Sequence, residues 1–168
     1  MDCSSWCLSH RSDPRGRAIA DRHYNRQKIG ATGFVPPGRC LVLVEAFHDP
    51  PRALWVTSYP FAEYVKHAWA GAWVCICFRN EGAGLSSELI TDAVACTRWK
   101  WKPPELGMIT FVDASKTRHK RDPGRCFLRA GFKHVGSTKG GLVALQLLPE
   151  NMPEAHSPVT DFEVEVLD

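Results

Sequence analysis

Arg79, Gly82 and Gly84 stand in the stretch CFRNEGAGLSSELI, residues 77 to 90, between an apolar β-rich run and a helical pattern. A helix start presents unpaired backbone N–H groups and the positive end of the helix dipole. Glycines let the preceding loop bring those N–H groups close to a ligand. A phosphate or pyrophosphate suits such a seam, with Arg79 and Asn80 beside the glycines and Ser86 at the helix start. A plain turn has the same composition, so the seam alone leaves both readings open. Ser86 and Ser87 either cap the helix or place a hydroxyl beside a reacting group.

Three other residues have types that do chemistry. His23 and Tyr24 lie in the polar stretch Asp-Arg-His-Tyr-Asn-Arg. This is either a solvated helix face or the source of a base or metal ligand (His23) and a hydroxyl (Tyr24). Asp113 ends the apolar run MITFVD. Carboxylates at strand C-termini face the ligand crevice of open α/β sheets, and they also cap turns. Cys3, Cys7 and His10 make at most a partial metal site, because no second ligand pair has zinc-finger spacing. The cysteine count, seven, is odd and no paired CxxC units occur, so most read as reduced, small apolar residues.

Charge is unevenly distributed. From Arg98 to Lys139 there are eleven Lys or Arg against three acids, whereas residues 149–168 carry six acids and no Lys or Arg. A basic body with an acidic tail suggests a polyanionic partner, and a solvated face with a disordered tail gives the same counts. Lys116, Arg118, Lys120, Arg121 and Arg125 crowd the loop KTRHKRDPGR. They suit duplex DNA phosphates, coenzyme phosphates or plain solvation. Trp99 and Trp101 nearby are either core or a surface on which an extruded base stacks.

Elements of known spacing must position these residues. The spacing predicts a helix over 17–30, strands over 40–47 and 53–60, and a short helix or irregular connection over 61–71. A third strand over 72–80, a helix over 84–101, a strand within 103–113, a short helix over 123–134 and a last strand over 142–148 follow. A first strand before residue 18 is hard to find. Hairpin strands first and strand–helix–strand units later predict an α/β fold with a mixed central sheet flanked by helices. One domain over 1–148 and an acidic C-terminal tail over 149–168 are expected. No apolar run approaches the ~20 residues that span a bilayer, and no signal-peptide pattern opens the chain, so a cytoplasmic protein without a membrane partner is expected. Monomer and homodimer both remain open.

The spacing Arg79-x-x-Gly82-x-Gly84 resembles the loop with which GCN5-related N-acetyltransferases hold the pyrophosphate of an acyl-coenzyme A. CFLRAGF, residues 126–132, resembles that family's second signature, Phe-Tyr-x-x-x-Gly-Phe. Strand, glycine loop, helix, strand and second helix fall in the family's order over 73–132. The resemblance implies that fold and an acyl-coenzyme A donor. One departure stands out. In many members a tyrosine of the second signature protonates the leaving thiolate, and here that position is Phe127, with no proton to give.

RHYNRQ…FVPPGR, FRNEG…SSELI, GMITFVD and PGRCFLRAGF together resemble the Mom-type DNA modification proteins of Mu-like phages, divergent members of the same fold, over residues 20–148. That resemblance implies transfer of a carbamoylmethyl-type group to adenine N6 in duplex DNA, which shields bacteriophage DNA from restriction. Because adenine N6 is a weak nucleophile and the usual phenol is absent at Phe127, His23 and Asp113 are expected to converge on one pocket with Tyr24 at its edge. There they either hold iron, with Tyr24 or water completing the shell, or act without metal as a base oriented by Asp113. A conventional N-acetyltransferase of a small amine or protein, and a non-catalytic DNA-binding anti-restriction protein, are the alternatives.

Overall fold

The computed structural model describes residues 3–23, 33–115 and 124–160. Seven strands form one sheet: β1 (Trp6–Leu8), β2 (Cys40–Glu45), β3 (Ala53–Ser58), β4 (Trp73–Asn80), β5 (Met108–Val112), β6 (Lys133–Ser137) and β7 (Val143–Leu147). Their order across the sheet is β1-β2-β3-β4-β5-β7-β6. All neighbours pair antiparallel except β4 and β5, which are parallel. The middle strands read as unbroken apolar runs because both their faces are covered; β3 is buried at every position.

Helix α1 (Pro14–Asp21) lies on one face. Its Ile19 and Ala20 pack with Val42, Val44, Leu54, Val56 and Cys77. Helix α2 (Ser86–Lys100) and the short helix α3 (Arg125–Arg129) lie on the other. There Leu89, Ile90, Ala93 and Val94 meet Trp6, Leu43, Trp55, Trp73 and Leu145. The apolar spacing that predicted α2 is the spacing that buries it.

Three features depart from the sequence reading. The predicted helix over 17–30 starts earlier, because Asp13 accepts Arg15 N–H as an N-cap and Pro14 fits the first turn; it has ended by Arg22, and residues 24–32 lie outside the described residues. The first strand exists and is only three residues long, held by register with Leu43–Glu45 of β2. The predicted helix over 123–134 ends at Arg129, and its last residues, Lys133 and His134, open the strand β6 instead. β6 is an edge strand with mostly exposed residues and a shift of register between His134 and Gly136, so it shows no apolar alternation. Of the acidic stretch 149–168, the part up to residue 160 is described. Met152 is buried in the core, and Val159 exchanges backbone hydrogen bonds with Trp6 and Leu8.

Candidate functional site

β4 and β5 are parallel neighbours for only three pairs, Trp73↔Met108, Val74↔Ile109 and Cys75↔Thr110. Beyond Cys75, β4 continues for five residues with no described strand against its β5-facing edge. The register with β3 shifts between Val56 and Thr57, so Ile76 is an extra residue, a bulge, where the two strands part. A sheet that opens between parallel strands, at their C-terminal ends, is where open α/β sheets take ligands.

The glycine seam closes over the same end. The carboxamide of Asn80 staples it. Its Nδ2 donates to Gly84 O at 2.7 Å and Ser86 Oγ at 2.9 Å, while Oδ1 accepts from Gly82 N at 3.1 Å and Ala83 N at 2.8 Å. Both donors and both lone pairs of that amide are therefore used within the loop. Asn80, expected to touch a ligand, is instead the group that shapes the loop. Gly82 and Gly84 have φ of 99° and 147°, and a Cβ on either would meet nothing within 4 Å. The glycines answer to backbone conformation, and the space above them is open.

At the start of α2 the N-cap is Leu85, whose side chain accepts nothing. Ser86 is not the cap, since its hydroxyl accepts from Asn80. Among the described residues no acceptor meets the N–H groups of Ser86 and Ser87. Both serines are half-buried at the helix end, where the dipole is positive.

Arg79 does not reach over the glycines alone. Its Nε donates to Glu81 Oε2 at 2.7 Å, and Arg22 grips the same carboxylate at 2.6 and 2.7 Å. Arg22 follows α1, so this cluster ties the end of α1 to the end of β4. The Arg22 hydrogen bonds, then those of Arg79, hold the Glu81 carboxyl at about 2 against burial. A carboxyl depressed in this way stabilises the fold above its ordinary unfolded value and loses that contribution as pH falls toward 2. Glu81→Gln is expected to be less stable than the parent at neutral pH. The gap should shrink as acid protonates Glu81, which parallel denaturant titrations across pH will read. An equal gap at every pH would contradict the ion-pair account.

His23 directly follows the α1 cap, its N–H donating to Ala20 O at 3.0 Å. Its neighbour Arg22 marks its place at the C-terminal end of β4. Asp113 follows the last residue of β5 at the same sheet edge. Asp113 Oδ1 accepts Ser115 N–H at 3.0 Å and Ser115 Oγ–H at 2.6 Å, so one of its oxygens shapes a turn. Tyr24 and the basic residues Lys116, Arg118, Lys120 and Arg121 lie outside the described residues; Arg125 is exposed at the start of α3. Among the described residues no three His, Cys, Asp or Glu side chains gather as a metal site, so Cys3, Cys7 and His10 do not form one.

Two further placements were not legible. Phe127 is buried against Trp55, Phe78 and Phe132, at ring distances of 6.3, 6.0 and 5.3 Å, so apolar rings floor the α2 side of the opening. Trp99 and Trp101 end α2, about 20 Å along its axis from Ser86. Trp101 packs on Tyr59 and Trp73. The stacking role considered for these tryptophans therefore does not belong to this opening.

No protein-family model matches the chain, and no curated protein matches it. Solved structures do. A structure of AAC(6')-Ib in complex with paromomycin and acetyl-CoA superposes with a TM-score of 0.57 at 14% identity, covering 89% of this chain and 96% of that one. Aminoglycoside acetyltransferase AAC(6')-Ib with coenzyme A and kanamycin gives a TM-score of 0.49 at 14% identity over 67% and 68%. The GNAT domain of S. lividans PAT gives 0.46 at 19% identity over 65% and 60%. Among the described residues no helix is long and apolar enough to cross a membrane. The mixed seven-stranded sheet, parted between its two parallel strands and flanked by helices, is the fold of the GCN5-related N-acetyltransferases.

Proposed function

We propose that this chain is an acyl-coenzyme A-dependent acyltransferase acting on a nitrogen nucleophile. The observation that carries the reading is the coincidence, at one sheet edge, of the β4–β5 opening and the unanswered N–H groups of Ser86 and Ser87. The residues fit the donor. The start of α2 and the space over Gly82 and Gly84 suit a pyrophosphate. The β5-facing edge of β4 suits an extended, amide-bearing arm laid alongside it as a short strand. Phe78 and Phe127 keep water from that arm on the α2 side. The donor, when bound, supplies an activated acyl thioester. In this reading His23, just after α1, takes the acceptor's proton, and Asp113, just after β5, orients it. Calorimetric titration with acetyl-CoA tests the reading. Micromolar binding is expected, and no binding would overturn it.

A second reading is favoured by Phe127, which removes the phenol that ordinary members use. In it the nucleophile is adenine N6 in duplex DNA, with an anti-restriction role, and the donor is not a simple acyl thioester, because a carbamoylmethyl-type group joins N6 through a CH2 and not through a carbonyl. The basic stretch from Arg98 to Lys139 supports DNA as the partner. Among the described residues no group of three His, Cys, Asp or Glu side chains gathers that would hold iron. Plasmid DNA from cells expressing the protein should yield a heavier deoxyadenosine by nucleoside mass spectrometry. Unmodified adenine there, with acetyl transfer to small amines in vitro, would leave the conventional acetyltransferase.

A further inference from the structure

On the α1 side of the sheet, at the point where β4 and β5 part, three rings pack together. His67 and Phe111 stand 5.0 Å apart, Trp69 and Phe111 6.0 Å, and His67 and Trp69 6.1 Å. Phe111 is the first β5 residue past the last ladder pair, Cys75↔Thr110. Trp69 and Phe111 rest on the cluster of Val74, Ile109 and Ala144 together with Ile76, the bulge residue. The trio thus borders the opening on the side away from α2.

The tautomer of His67 follows from its neighbour. The backbone N–H of Trp69 donates to His67 Nδ1 at 3.0 Å. An N–H can only donate, so Nδ1 accepts, and in the neutral ring the proton sits on Nε2. Burial lowers the pKa of His67 and keeps the ring neutral at ordinary pH. Among the described residues Nε2 has no partner, and it is not a buried orphan. His67 therefore offers an outward N–H donor on a half-buried aromatic wall. It is not placed to serve as a base, because its accepting lone pair is already engaged.

We propose that His67 is an acceptor-binding residue. Its Nε2–H donates to a lone pair beside the acceptor's nucleophilic nitrogen, while Trp69 and Phe111 lie against a flat face of the same molecule. The wall selects a flat, uncharged acceptor over a saturated or cationic amine. This rests on the acyl-transfer reading of the opening.

The test uses the full chain, with 2-aminopyridine as a flat probe and cyclohexylamine as a saturated one, at about pH 8, above the ordinary histidine range. Long-range proton–nitrogen NMR of labelled histidine should show the proton on Nε2 of His67, and 2-aminopyridine should shift that resonance. His67→Phe keeps the ring but removes the donor, and should weaken probe binding by about tenfold. His67→Gln, which restores an N–H at similar reach, should recover part of the loss. Coenzyme A affinity should be the same in all three proteins. A proton on Nδ1, unchanged probe binding in His67→Phe, or equal binding of cyclohexylamine overturns the assignment. Failure of coenzyme A to bind any of the proteins overturns the acyl-transfer reading instead, and is read separately.

Discussion

Gly84→Val should lower coenzyme A affinity by a hundredfold or more, about 2.7 kcal/mol, while the protein still unfolds in one cooperative transition. Gly84 has φ of 147°, and a Cβ there meets no protein atom within 4 Å. The valine therefore clashes with nothing in the protein and projects into the open space above the loop. Two effects follow. The backbone is strained by about 1–3 kcal/mol, which lowers the unfolding midpoint without abolishing the fold. The branched side chain occupies the approach to the N–H groups of Ser86 and Ser87, where a pyrophosphate must sit within hydrogen-bond distance. Calorimetry with coenzyme A, alongside a denaturant melt, separates the two. Affinity unchanged in a folded variant would show that this loop does not hold the donor.

Trp55→Ala should cost about 3–5 kcal/mol of stability, a fall of roughly 10 °C in the unfolding midpoint. Trp55 is fully buried in β3, an interior strand of the sheet. Its ring packs on Phe78 at 5.7 Å and Phe127 at 6.3 Å. Its Nε1 donates to Thr57 Oγ1 at 2.6 Å, and Thr57 and Thr97 share a hydroxyl bond at 3.1 Å. Thr97 in turn donates to Ala93 O within α2. Truncation thus leaves a cavity on the α2 side of the sheet and breaks the first link of a polar chain between β3 and α2. Trp99→Ala is the comparison, because Trp99 is 43% exposed at the helix end and its loss should cost well under 1 kcal/mol. Calorimetric or denaturant melts of the two variants decide the point. Equal, small losses would contradict the packing described.

The central elements were legible because they repeat a period. LVLV, ALWV and AWVCIC are apolar on both faces, as strands covered on both sides must be, and α2 carries its apolar residues three and four apart. The glycine seam was legible as a loop before a helix. Its internal wiring was not. Asn80 reads in the sequence as one more polar residue beside an anion site, and only the folded loop shows that its amide is consumed by Gly82, Ala83, Gly84 and Ser86. Arg79 likewise reads as a free cation until Glu81 and Arg22 are seen beside it.

What the sequence by itself determined is therefore what local periodicity and backbone chemistry encode: a mixed α/β sheet, the strand–glycine loop–helix order, and the absence of a phenol at Phe127. The tertiary structure decided what depends on strand neighbours distant in the chain. Trp6–Leu8 is too short to signal a strand and becomes one only by pairing with Leu43–Glu45. Lys133–Ser137 lies on an edge, where a solvated face removes the alternation. The bulge at Ile76 and the three-pair limit of the β4–β5 ladder exist only in the registers of β4 with β3 and with β5. The His67–Trp69–Phe111 wall joins an irregular connection to a strand more than forty residues away. Such contacts have no local signature, because the energy that selects them is burial of surfaces that meet only after the sheet has formed.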